Sequence, residues 1–143
     1  MSHDSLASVD DLWGAEFGEE TLEATPLFLL VKQAEALTRR TEGRVVGKAV
    51  ASVDVPQGTV WTSLYAEVPT LGGFRRKVLS VAYPITRDPV DPTPVRAYGL
   101  NAKTGEEIVS LDKLIAWLSR VLSSKEVHGM IQGLQYFGRD SVA

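Results

Sequence analysis

The longest regular pattern of apolar and polar positions in the chain runs from Arg44 to Ile85. From Val45 to Val55 the residues alternate. Val45, Gly47, Ala49, Ala51, Val53 and Val55 fall on one side, and Val46, Lys48, Val50, Ser52 and Asp54 on the other. A period of two marks a half-buried strand. Pro56 to Thr59 breaks the pattern, because Gly58 tolerates positive φ and Pro56 cannot donate to a ladder, so a hairpin with Gln57 and Gly58 at its tip is expected. That two-residue tip pairs Val55 with Val60, Val53 with Thr62 and Ala51 with Leu64, and sets Lys48 opposite Glu67.

The next break, Thr70-Leu71-Gly72-Gly73, reads as a four-residue tip. It pairs Leu64 with Leu79, Thr62 with Val81 and Val60 with Tyr83, and on the reverse face Tyr65 with Val78 and Glu67 with Arg76. Side chains alternate faces along a strand, so a loop of the wrong parity would set apolar residues against polar ones. Both loops as read are even, and both support one Ala/Val/Leu face.

Helical spacing takes over on either side of this meander. Thr25-Pro26 is a cap followed by proline at the first helical position, and Leu27, Leu30, Val31, Ala34 and Leu37 then share a face as far as Arg39-Arg40-Thr41, with Gly43 closing the helix. Downstream, Thr86 to Pro94 holds three prolines in nine residues and predicts a stiff surface connector. Val95 to Leu100 and Glu106 to Val109 predict two further short strands. Ser110 caps a helix with Leu111, Leu114, Ile115, Leu118, Val121 and Leu122 inward and Trp117 at its margin. Ser123 with Glu126 has the spacing of a capping box for a last helix, with Val127, Met130, Ile131 and Leu134 inward. Gly129 and Gly133, four apart on that helix, suggest a close approach of another backbone. Strands flanked by helices predict an α+β fold, an antiparallel meander of three long strands plus a shorter pair, packed on N- and C-terminal helices. Three segments are expected: an acidic arm at 1–24, one α+β domain at 25–138 and a tail at 139–143.

Charge changes the picture at the N-terminus. The net charge is −3, yet residues 1–25 hold seven acids and no Lys or Arg, leaving eleven acids against fifteen bases on the remaining 118 residues. Within the arm, Ser8 to Asp11 looks like a helix start, and Val9, Leu12, Trp13 and Phe17 form a short apolar stripe interrupted by Gly14 and Gly18. A tryptophan there suits an anchor, onto the chain's own domain or onto a partner. The chain has no cysteine, which excludes a thiolate metal site and fits a reducing compartment. Its longest apolar run, Leu27 to Val31, is far below the length of a membrane span. A cytoplasmic protein with no membrane or nucleic-acid partner is the expectation, the acidic balance removing most non-specific attraction to phosphate backbones.

Candidate chemistry is sparse. His128 has no carboxylate or second histidine at helical spacing, the paired carboxylates (Asp10/Asp11, Glu19/Glu20, Glu106/Glu107) have no acid-base partner, and no serine sits in a G-x-S-x-G turn. No catalytic residue, metal ligand or cofactor is assigned. Attention falls instead on the reverse face of the meander, where Val46, Val50, Trp61, Tyr65 and Val78 lie among Lys48, Glu67 and Arg76. A fully solvated face would not hold so much apolar area, so something covers it: the arm through Trp13 and Phe17, a second copy, or another protein. The resulting expectation is a non-enzymatic protein-interaction module, a small acidic adaptor of secretion-chaperone-like or immunity type, possible also as a homodimer. The competing expectation is a small enzyme or ligand-binding protein with a pocket near the connector and last helix, using His128, Tyr83 or Arg87.

Overall fold

The computed structural model describes residues 25–138, which form three helices and one five-stranded antiparallel sheet, an α+β fold. The elements are α1 (Pro26–Arg40), β1 (Val46–Asp54), β2 (Thr59–Val68), β3 (Phe74–Pro84), β4 (Val95–Tyr98), β5 (Glu106–Ile108), α2 (Leu111–Leu122) and α3 (Lys125–Phe137). Strand order follows chain order, β1-β2-β3-β4-β5. The expected arm helix and Trp13 lie outside the described residues.

Thr25 starts α1 as expected, its Oγ1 accepting from the Phe28 amide at 3.1 Å, with proline in the first turn and Arg39 and Arg40 in the last. Ser110 likewise caps α2 through the Lys113 amide. The last helix starts one residue later than the capping-box spacing implies: Ser124, not Ser123, accepts from the Val127 amide, while Ser123 Oγ donates back to the Ser119 carbonyl at 2.7 Å. The connector is neither helix nor strand. Arg87 fastens it from within by donating to the carbonyls of Pro92 and Pro94.

The sheet register corrects both hairpins. Asp54 pairs with Thr59 across a four-residue loop, Val55 to Gly58, with Gly58 at φ 64° and its amide donating to the Val55 carbonyl. Every partner on β1 therefore slips by two: Val53 meets Val60, Ala51 meets Thr62, Lys48 meets Tyr65, and Val46 meets Glu67. A slip of two preserves parity, so the faces survive although the partners change.

The second loop is odd. Val68 pairs with Phe74 across Pro69 to Gly73, where a short 3-10 turn ends on Gly72 and Gly73 at φ 68° and 81°. An odd loop alone would turn β3 over. Between Leu64 and Tyr65 the register shifts by one, a bulge with Val78 as the extra residue. Beyond it Leu64 meets Leu79, Thr62 meets Val81 and Val60 meets Tyr83, as expected, but nearer the loop Tyr65 meets Lys77, Ala66 meets Arg76, and Glu67 meets Arg75.

Consequently Val78 joins Leu79 in the core at 1% exposure, and Arg76 shares the helix-side face with Ala66, its guanidinium reaching Asn101 Oδ1 at 3.2 Å. The expected places of Val78 and Arg76 on the reverse face are both overturned by this one bulge.

All three helices bury their apolar sides in one cluster with the inner strand positions, from Leu30 and Ala34 through Leu64, Leu79 and Val81 to Leu114, Val127 and Leu134. Trp117, expected at a margin, is buried there. α1 comes so close to β1 that a Cβ on Gly47 would stand 2.3 Å from the Ala34 carbonyl oxygen. The Gly47 amide donates to Thr38 Oγ1 at 2.9 Å across that contact. At Gly129 and Gly133, by contrast, nothing among the described residues comes within 4 Å of where a Cβ would stand, so the expected backbone approach is absent there.

Candidate functional site

Because the three helices share one side of the sheet, the other side is open among the described residues. Register places on it Val46, Lys48, Val50, Ser52 and Asp54 of β1, then Trp61, Ser63, Tyr65 and Glu67 of β2. β3 contributes Arg75, Lys77, Ser80 and Ala82, β4 contributes Arg96 and Tyr98, and β5 contributes Glu107.

The face is built around two ring contacts. Trp61 on β2 and Tyr98 on β4 meet across the intervening strand with centroids 5.3 Å apart and planes tilted by 42°. They can do so because β3 presents only Ala82 and Ser80 beneath them, the partners of Trp61 and Tyr98 respectively. Both small residues are buried as a result. Tyr98 also lies against Gly105, where an added Cβ would come within 2.7 Å of the ring. A tilted pair of this kind contributes about 0.5–1.5 kcal/mol beyond its buried area. The second contact is Arg75, whose guanidinium carbon stands 4.3 Å from the Tyr65 ring centroid. A cation over a ring at a solvent-accessible site is worth about 0.5–1 kcal/mol.

Polar groups surround these rings. Lys48, Arg75, Lys77 and Arg96 supply four cations and Asp54, Glu67 and Glu107 three carboxylates, with Glu67 opposite Arg75 and Glu107 opposite Arg96. The expected row of Lys48, Glu67 and Arg76 does not form. Among the described residues the ion pair within 4 Å is Arg120 with Glu106, at 3.4 Å on the helix side. Val50 is 37% exposed midway along the edge strand β1, and Trp61, Tyr65 and Tyr98 are half-buried.

Of the residues singled out from sequence, Val46, Lys48, Val50, Trp61, Tyr65 and Glu67 share this face. Val78 and Arg76 do not, and Trp13 lies outside the described residues. Arg75, Lys77, Arg96 and Tyr98 belong to the face and were missed. The alternation in Val95-Arg96-Ala97-Tyr98, apolar then polar, was the signal for the last two, since Val95 and Ala97 are buried and Arg96 and Tyr98 lie opposite. Arg75 and Lys77 come to this face because the preceding loop takes in Pro69 and is one residue longer than the tip from Thr70 to Gly73.

The residues of the enzyme reading do not converge. Tyr83 is buried in the core, where burial raises its pKa above the ordinary value, Arg87 is held by connector carbonyls, and His128 is exposed on α3. Among the described residues no group of three His, Asp or Glu side chains is placed to hold a metal ion, and no helix is long and apolar enough to cross a membrane. What the open face offers chemically is stacking, apolar contact and charges of both signs. Comparison with known protein families, with curated proteins and with solved structures finds no match for this chain.

Proposed function

We propose that the chain is a non-enzymatic protein-interaction module whose binding surface is the open face of the sheet, engaging a partner protein or a second copy of itself. The observation that carries this reading is the Trp61–Tyr98 pair with Val50 and the Arg75-capped Tyr65 on a sheet face that no described helix covers. Tyrosine, tryptophan and arginine are the residues that dominate binding energy at protein interfaces, and an aromatic, apolar centre inside a polar rim is the usual layout of such a surface. Four cations against three carboxylates leave the face close to neutral, which favours a protein partner over a polyanion.

The test compares the full chain with Trp61→Ala/Tyr65→Ala by sedimentation and by affinity capture from its native cell. Both side chains point away from the core, so the double variant should keep its far-ultraviolet circular dichroism and lose self-association or the captured partner. Unchanged association in a folded double variant would exclude this face.

A further inference from the structure

Two threonines occupy the start of the outer edge of β1. Thr41 Oγ1 bonds both the carbonyl and the amide of Val45, at 2.8 and 3.2 Å, and Thr38 Oγ1 accepts from the Gly47 amide at 2.9 Å. Those bonds show which way the backbone faces. Val45 and Gly47 turn their amides out of the sheet, so the even-numbered residues of β1 bond to β2. The register is unbroken from Val46 to Asp54, so the backbone groups of Ala49, Ala51 and Val53 point outward as well. Among the described residues none of these outward groups has a partner. The side chains of Ala51 and Val53, on the helix side of the strand, are exposed, Val53 at 47%, so α1 no longer covers the edge there.

We infer that this free length of β1 pairs antiparallel with the same length of a second copy of the chain, about a two-fold axis at Ala51. An edge of unpaired amides and carbonyls is a template for another strand, and proteins ordinarily blunt it with proline, a bulge or a very short strand. β1 has none of these over its nine residues, whereas the opposite edge of the sheet, β5, is three residues long. A paired strand would also bring Ala51 and Val53 of each copy against those of the other.

The backbone fixes the register. Outward-facing residues must meet outward-facing residues, and with Ala51 opposite Ala51 of the other copy, Ala49 meets Val53. Every free group of both strands is then used, each such pair exchanging both N–H···O bonds. Moving the axis by one residue calls either on Gly47, whose amide Thr38 already holds, or on Val55, whose carbonyl already accepts from Gly58. The register at Ala51 also sets Lys48 of each copy opposite Asp54 of the other on the open face, and Val50 opposite Ser52. Opposite charges directly across a strand pair are favourable, and the two-fold axis makes that contact twice. Such a dimer joins two five-stranded sheets edge to edge with their open faces on the same side, so the proposed binding face is doubled rather than covered.

Sedimentation of the full chain over a concentration series tests the pairing, and a monomer–dimer equilibrium is expected. Ala51→Pro removes the outward amide at the centre of the contact, at a kind of edge position where proline is accepted. The variant should keep its circular dichroism while its dimer weakens by between about fivefold and 150-fold, the range for two net hydrogen bonds. Lys48→Asp should weaken the dimer by between about twofold and thirtyfold, the combined range for two exposed ion pairs. Adding Asp54→Lys should restore it, because the exchange returns opposite charges across this register. These charge variants read the register without depending on how the strand takes a proline. A chain that stays monomeric at millimolar concentration would overturn the inference, as would a dimer indifferent to the proline and to both charge changes. Amides of Ala49, Ala51 and Val53 already protected from hydrogen exchange in the monomer would mean that another segment covers the edge, and would equally overturn it. A dimer lost in Trp61→Ala/Tyr65→Ala but kept in Ala51→Pro would seat the second copy on the open face and sink the edge pairing alone. A dimer kept in Trp61→Ala/Tyr65→Ala with capture of the partner lost would support both surfaces.

Discussion

Gly47 marks the closest backbone approach at any glycine among the described residues. Ala34 meets it through backbone atoms, with its carbonyl oxygen 2.3 Å and its Cα 2.5 Å from where a Cβ would be, so a side chain at position 47 must push α1 off β1 as a unit. Gly47→Ala should cost at or above the top of the about 1–3 kcal/mol range for overpacking, because the neighbour cannot yield by a rotamer change. Urea denaturation measures it, and Ala34→Gly should fail to rescue, since only backbone atoms clash. A destabilisation within about 0.5 kcal/mol, the level of an ordinary surface change, would mean that the helix is not seated as described.

At the same scale Tyr83 gives the protein a pH response. Burial raises its pKa above the ordinary 10.0. The folded state therefore holds that proton more tightly than the unfolded chain does, so the contribution to stability is complete below pH 10 and falls as pH rises through the folded-state value. Denaturation midpoints followed from pH 9 upward should decline less steeply in Tyr83→Phe than in the parent. Parallel curves would assign the alkaline loss to other groups.

Among the elements, β3 decides most. Its bulge turns a loop of odd length into a strand whose upper half keeps its apolar residues inward, and Val78 is the residue absorbed. Val78→Ala should therefore destabilise by about 2 kcal/mol, the loss of two buried carbons plus an unfilled space, while Arg76→Ala should stay within about 0.5 kcal/mol. Equal small effects in urea titrations would place Val78 on the open face after all.

The helices were legible because each carries its own start signal and a 3.6-residue stripe: Thr25-Pro26, Ser110 and the serine pair before Lys125 act locally, whatever packs above them. Strand existence was legible for the same reason. Register was not, because four- and five-residue loops differ from the shorter ones expected by a local backbone choice, and the bulge that compensates has no separate residue signature.

At the scale of the whole molecule, three helices on one side of a five-stranded sheet create two surfaces of different character. The sheet face is aromatic and nearly charge-balanced; the groove between the helices is lined by leucine and isoleucine and bordered by Arg39 and Arg40. An aromatic sheet face with a polar rim suits a folded partner.

The sequence by itself determined the three described helices and five strands, the two faces of β1 and β2 and the parity of the first strand pair, since caps, periods and glycine turns act over a few residues. Only the tertiary structure decided which cations stand beside Tyr65, that Trp61 meets Tyr98 over Ala82 and Ser80, and that Val78 belongs to the core. Those outcomes depend on a one-residue bulge and on strands distant in the chain, where the free energy of packing the whole sheet chooses between registers that the local pattern leaves equal.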